Sequence, residues 1–382
     1  MTVFTKLCLI ATLALSLANA QQESSSSSAS ADAPAPSASA SASAAAPSGG
    51  GGFQFKETYP TDGSVPTPKP EWMELLKNAN ITDAPVQKSN GENGPQQSGS
   101  GDQFCDWTFT GCTREDDITA CPTGQWGITY DDGPTQFSPP LYDFLKERNQ
   151  KATFFMIGGQ VLKFPKYVER IHREGHELAI HTWSHSYLTT LTTEQIVAEL
   201  KYTESAIKEV TGVSPRFFRP PYGDIDDRVR SIAKALGFVP VIWNHDTDDW
   251  MIQESQGFNP QWIDGNATEW AKQNTTQGGI SLEHDLYKQT VDAAIRILPT
   301  LQDAYKVTTV GACVGQPSYK EGNATSPAAS GSSSGAVPSA SGGSSSPSGG
   351  SEAGEEGAAA VHMAGTTAIV TAMAFGALYL IA

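Results

Sequence analysis

The sequence predicts an α/β fold with a parallel sheet, on three observations. Between residues 125 and 310, seven short β-rich runs alternate with six amphipathic stretches, and strands joined through helices run parallel. Glycines stand where three of the helical stretches should stop, at Gly175, Gly212 and Gly237, as left-handed helix caps require. Ionisable residues gather just after the strands, the end at which parallel α/β folds keep their active sites. This pattern fits either a closed barrel or an open, doubly wound sheet.

The strand candidates are Gln125–Tyr130, Ala152–Ile157, Glu177–His181, Arg216–Arg219, Val239–Asn244, Gly279–Glu283 and Lys306–Val310. The helical stretches between them are Pro139–Arg148, Tyr167–Glu174, Thr193–Val210, Asp226–Leu236, Pro260–Asn274 and Gln289–Gln302. Ile196, Leu200, Ile207 and Val210 form an apolar stripe at helical spacing. Thr192 or Thr193, ahead of Glu194 and Gln195, suits a helix start. A short helix is expected within Pro70–Lys77.

Composition restricts the globular part of the 382 residues to about 53–316. Residues 1–20 carry Lys6, an apolar run and Ala18-Asn19-Ala20, which reads as a secretory signal peptide. Residues 21–52 are Ser, Ala, Pro and Gly, too poor in apolar bulk to order themselves. Residues 53–118 read as an irregular N-terminal extension and 119–316 as the strand–helix domain. A Ser/Gly-rich stalk, 317–357, precedes a terminal apolar tail. Small residues, spacer and tail together match a GPI-anchor signal, so 358–382 is expected to be removed on lipid attachment. Secretion agrees with four cysteines beyond the leader, Cys105, Cys112, Cys121 and Cys313, which allow three disulfide pairings. Asn80, Asn266, Asn274 and Asn323 open glycosylation sequons. The net charge is −16 with no basic block, which argues against a nucleic-acid partner.

The chemistry-bearing residues sit at one end of their strands. Asp131 and Asp132 end the first, in Thr-Tyr-Asp-Asp-Gly-Pro. Alone, that run reads as a solvated turn. His181 ends the third strand and His185 follows four residues later, close enough on a helical turn to share an ion. His172 and His176 repeat the spacing, but Gly175 intervenes and His176 begins a strand, so they read as structural. Two histidines and a carboxylate make the three-ligand set of hydrolytic zinc sites. One aspartate of the pair can then ligate the ion while the other serves as base, and the cation offsets their repulsion. His284 suits a general acid, with Asp249 beside it to favour imidazolium. Arg219 suits a partner for the base carboxylate. Read singly, Arg219 is an ordinary ion pair and Asp246–Asp249 an acidic turn.

Five segments in order carry a family resemblance: Thr129–Pro134, His181–His185, Arg219-Pro-Pro-Tyr-Gly223, Asp246-Thr-Asp-Asp-Trp250 and Ser281-Leu-Glu-His284. Together they resemble the motifs of the polysaccharide deacetylase (NodB-homology) family, carbohydrate esterase family 4, over residues 120–315. Tyr130, where the family more often has Phe, is a mild departure. The resemblance implies a distorted (β/α) barrel of seven or eight strands. It implies Asp131 as base, His284 as acid, and Asp132, His181 and His185 as ligands of a divalent metal, zinc or else cobalt. It implies supporting roles for Arg219 on Asp131, Asp249 on His284, and the Tyr222 N–H at the oxyanion. Trp250 and Leu282 would line the acetyl pocket, with residues Trp250–Trp262 choosing the sugar. The same fold suggests disulfides Cys121–Cys313 and Cys105–Cys112. The flanks resemble those of fungal cell-wall enzymes acting on chitin, giving chitosan and acetate. The expected protein is thus a secreted monomer, held at the plasma membrane and cell wall by a GPI lipid. The same chemistry on an N-acetylgalactosamine polymer, or a silent glycan-binding protein, are the alternative readings.

Overall fold

The computed structural model describes residues 53–322, apart from 90, 92, 93 and 98–100. The expected signal, linker, lipid-attachment segment, most of the stalk and Asn323 lie outside the described residues. Among the described residues, no helix is long and apolar enough to cross a membrane.

Every pairing in the two main sheets, one of four strands and one of five, is parallel. Two chain segments belong to both sheets and join them into a ring. The first runs from Gln125–Gly127 into Thr129–Asp131. Its lower half pairs with Lys306–Thr308 and Gly279–Leu282, its upper half with Thr153–Met156. Ile128 marks the exchange: its N–H donates to Thr308 and its carbonyl accepts from Thr153. The second segment contains Val239–Pro240, which pairs with Phe217–Phe218, and His245–Asp246, which pairs with Gly279–Leu282. Glu177–Ile180 completes the wall between Thr153–Met156 and Phe217–Phe218. The result is a closed, distorted α/β barrel.

The strand expected over Val239–Asn244 is therefore not continuous. Its N–H groups change partners, from Phe218 to Ile118 to Ile280, as the segment bends from one sheet to the other. The strand expected over Arg216–Arg219 shortens to Phe217–Phe218, because two prolines follow and cannot donate to a ladder.

Alternation along the strands splits the core into two layers. Phe155, Ala179, Phe217, Val241, Ile280 and Val310 fill the barrel interior. Phe154, Leu178 and Phe218, their neighbours in sequence, face the helices instead. Both faces are buried, so these strands read as continuous apolar runs. The Cys121–Cys313 disulfide belongs to the interior layer, and Cys105–Cys112 closes a short loop in the extension.

Helices cover the barrel at Pro139–Glu147, Gly158–Lys163, Pro165–Arg173, Thr193–Thr211, Asp227–Ala235, Gln261–Ala271 and Lys288–Ala304. Thr192 and Gln195 cap the fourth reciprocally, and Gly212, at φ 83°, ends it. Its stripe of Ile196, Leu200 and Ile207 is fully buried. The extension holds a short helix at Pro70–Met73 and packs Tyr59 and Trp72 against Tyr202 of the fourth helix. The segment Trp250–Trp262, expected as loop, contains a turn of helix at Met251–Glu254 and the start of the next at Gln261. Of the sequon asparagines, Asn80 is exposed, Asn266 lies half-buried on a helix, and Asn274 Nδ2 donates to the Ala304 carbonyl.

Candidate active site

Parallel pairing puts the last residues of the strands on one rim. Asp131 closes its strand with its N–H bonded to the Glu283 carbonyl, Asp132 donates to Phe155, His181 to Met156, and Arg219 to Ile180. Adjacent strand residues normally face opposite sides. Asp132 escapes that alternation through a left-handed backbone, φ 72°, so both carboxylates reach the same site. Gly133 follows because a Cβ there would lie 2.1 Å from Asp285 Oδ1.

Asp132, His181 and His185 bring one ligand atom each into a single cluster. Asp132 Oδ1 lies 3.4 Å from His181 Nε2 and 3.3 Å from His185 Nε2, and the two nitrogens are 3.2 Å apart. A tetrahedral ion with bonds of about 2.0–2.1 Å requires ligand atoms about 3.3–3.4 Å apart. The nearly equilateral triangle fits that requirement. Asp132 Oδ1 is buried and has no hydrogen-bond partner, a costly arrangement unless a cation joins it. His181 Nδ1 meets the Arg219 carbonyl at 2.8 Å, which fixes its N–H there and leaves Nε2 as a lone-pair donor. Burial, with His185 adding to it, pushes His181 down to about 3, keeping it neutral. Burial acts to raise Asp132, but the His185 imidazole, with His284 and His181, holds it well below the usual carboxylate range. The donor set therefore fits a divalent ion.

The two histidines do not share a helical turn. The run between them is a loop with two left-handed residues, Thr182 at φ 63° and His185 at φ 60°, because the chain must double back from the strand end. His176 lies at the opposite end of the barrel wall, where its Nδ1 accepts from the Ala152 N–H.

Asp131 is 1 % exposed. Its Oδ1 accepts from Arg219 Nη1 at 2.8 Å, while Oδ2 is buried, unpartnered and 3.9 Å from His181 Nε2. Burial raises this carboxyl to about 6, against the pull of Arg219 and His284. Arg219 is itself buried, bonds Thr129 Oγ1, and lies 4.2 Å from the Phe155 ring. One oxygen is thus anchored and the other left without a partner.

Asp249 grips His284 twice, through Nδ1 at 2.6 Å and the backbone N–H at 2.9 Å. Burial opposes charge on the imidazole, but Asp249 outweighs it and raises His284 to about 10. Asp248, left-handed at φ 56°, turns the chain so that Asp249 points inward. Tyr222 is left-handed too, and its exposed ring stacks on Tyr187 at 3.9 Å with its hydroxyl 3.2 Å from His185 Nδ1. Leu282 is buried and Trp250 is 38 % exposed, both in motif segments of this rim.

Sequence reasoning missed three buried carboxylates here. Glu283 and Asp285 flank His284, and burial raises them to about 8 and about 7. Glu199 holds the loop between the histidines. Its signal was visible: a glutamate one turn from Ile196, on the buried stripe of a helix.

The family model for polysaccharide deacetylases matches residues 120–241. Chitin deacetylase 1 of Cryptococcus neoformans var. grubii is 42% identical over 276 residues, 68% of this chain and 57% of that protein. Chitin deacetylase 1 of Saccharomyces cerevisiae is 34% identical over 220 residues, 57% of this chain and 69% of that protein. The chitin deacetylase structure from Colletotrichum lindemuthianum aligns with 53% of this chain and 95% of its own, at 29% identity and TM-score 0.49. The chain spans between 53% and 63% of the length of three curated relatives from Cryptococcus neoformans that it matches. Residues matched, identity and coverage agree: this chain belongs to the polysaccharide deacetylase family.

Proposed function

We propose that the protein hydrolyses N-acetyl groups of chitin, releasing acetate and leaving glucosamine units. The observation that carries the reading is the triangle of Asp132 Oδ1, His181 Nε2 and His185 Nε2 beside an unpartnered Asp131 oxygen. The names of the related proteins supply the substrate class.

Asp132, His181 and His185 would hold the ion. When bound, a divalent metal supplies Lewis-acid polarisation of the acetamide carbonyl and lowers the pKa of a water. Imidazole and carboxylate ligands suit zinc, with cobalt as a second choice. Asp131 Oδ2 takes the proton from the attacking water, while Arg219 keeps the carboxylate in place. The Tyr222 N–H donates to the oxygen that becomes negative as the carbonyl turns tetrahedral. Amine nitrogen is a poor leaving group until protonated. His284, kept as imidazolium by Asp249, donates that proton as the C–N bond breaks. Trp250 and Leu282 enclose the acetyl methyl.

The flanking segments extend the reading to the cell surface. A leader in 1–20, a stalk in 317–357 and a lipid-attachment signal in 358–382 would deliver a monomeric 119–316 catalytic domain to the membrane and wall. Asn80, Asn266, Asn274 and Asn323 are the glycan positions in that account.

Acetate release from chitin oligomers, with and without chelator, tests the activity. We expect release that stops on chelation and returns with zinc. Unchanged release under chelation would overturn the metal chemistry. Faster release from N-acetylgalactosamine oligomers would replace the substrate.

A further inference from the structure

Between His181 and His185 the chain is held by a carboxylate that no step of the reaction uses. Glu199, on the helix Thr193–Thr211, is fully buried. Its Oε2 accepts from the N–H groups of Trp183 at 2.7 Å and Ser184 at 2.8 Å, and its Oε1 accepts from the Ser184 hydroxyl at 2.6 Å. All three donors are neutral and all belong to the loop between the two imidazoles. A buried carboxylate with no cation beside it is expensive. Packing alone would be served as well by another apolar residue between Ile196 and Leu200.

The loop explains the need. Thr182 and His185 are both left-handed without being glycine, and such residues persist only where their surroundings over-determine them. Those two backbone angles aim both imidazoles at one point, with Nε2 atoms 3.2 Å apart beside a carboxylate oxygen. Without an ion, the lone pairs of the three atoms repel one another and favour relaxation of the loop. Charge-assisted hydrogen bonds to its two central peptides oppose that relaxation. Trp183 is gripped from its other side as well. Its ring stacks on Tyr59 at 5.8 Å, and its indole N–H donates to the Thr61 carbonyl at 3.3 Å. Helix and N-terminal extension thus close on the same loop residue.

We propose that Glu199 is a positioning residue that holds the His181–His185 loop in its ligating shape before the ion arrives, and so sets metal affinity. The inference rests on the reading of Asp132, His181 and His185 as metal ligands. Outer-shell partners of this kind typically change metal affinity about 10–100-fold when removed.

The test is calorimetric titration of the metal-stripped full-length protein with zinc. Glu199→Ala should bind about 10–100-fold more weakly than the unaltered protein. Because it strands three donors, Glu199→Gln provides a second variant that keeps shape and one acceptor oxygen. It should fold and bind about tenfold more weakly. Acetate release by Glu199→Gln should return to the unaltered kcat at saturating zinc. A purely structural role would instead lower the melting temperature of the stripped protein and leave the zinc Kd unmoved. Unchanged Kd in the folded Glu199→Gln protein therefore overturns the proposal. Failure of the unaltered protein to bind zinc at all would overturn the metal site itself, and the two failures are distinguishable.

Discussion

Both ends of the barrel bury carboxylates, and they treat them differently. At the base, Glu177 opens its strand at 2 % exposure. Its oxygens accept from Thr153 Oγ1, the Gly311 N–H and Ser318 Oγ, leaving none unpartnered. At the rim, Asp131 and Asp132, at the end of the strand Thr129–Asp131, are buried too, yet each keeps one oxygen with no partner. A buried acceptor left unsatisfied costs about 1–3 kcal/mol. The base uses its carboxylate to fasten the C-terminal segment to the sheet. The rim leaves its acceptors for a ligand, a proton or an ion. Among these three carboxylates, hydrogen-bond satisfaction, rather than burial or charge, distinguishes Glu177 from Asp131 and Asp132.

The largest expected effect belongs to the rim. His284→Ala and Asp131→Asn should each lower kcat for acetate release, per folded molecule, by about 10²–10⁴-fold. Each also leaves a buried charged partner, Asp249 or Arg219, uncompensated, so some loss of melting temperature accompanies it. Steady-state kinetics beside a thermal melt decides it. An undiminished kcat in the folded variants, whatever their stability, would make these residues structural and erase the contrast between the ends.

The next effect belongs to the base. Replacing Cys121 and Cys313 together by serine opens a loop with a sequence separation of 192 residues. Unfolding by denaturant should show a loss of about 2–5 kcal/mol, while zinc affinity stays the same. Glu177→Ala should cost about 2–3 kcal/mol, because it leaves three donors of the base without an acceptor. Its kcat per folded molecule should not change. A drop in kcat would show that the two ends are coupled.

The smallest effect is a displacement along the pH axis. Asp249 holds His284 at about 10, above its ordinary value of 6.5. The acid form therefore persists through neutrality and is lost as pH rises through about 10. The stabilisation from the His284–Asp249 pair follows the same sign, being complete below about 6.5 and lost toward 10. Asp249→Asn removes the opposite charge and should lower the His284 pKa by about 1–3 units. The alkaline limb of the rate profile should move down with it, and NMR titration of the imidazole reads the same shift directly.

Much of this contrast was legible in the sequence, and what was hidden has physical reasons. Short β-rich runs, helix stripes and glycine stops gave the alternation of strand and helix, because each is a local property. Ring closure was not local. It depends on the segment from Val239 to Asp246 exchanging partners midway, which no spacing announces. The strand-end positions of Asp131, Asp132, His181, Arg219, Asp249 and His284 could be read from the order of elements. How adjacent residues such as Asp131 and Asp132 reach one site could not, because it turns on a single left-handed backbone angle. The four-residue spacing of His181 and His185 suggested a helix, yet strained loop geometry brings them together. Glu199 stood in view on a buried helix stripe, but its partners, 15 and 16 residues away, did not.

The central claim is that one divalent ion sits among Asp132, His181 and His185 and that hydrolysis depends on it. The direct measurement is metal content by mass spectrometry on purified protein reconstituted with zinc, paired with acetate release from chitin oligomers. The account predicts one ion per chain and activity in the unaltered protein, with neither in Asp132→Ala at unchanged circular dichroism. A full complement of metal in Asp132→Ala, or undiminished acetate release without any, would contradict it.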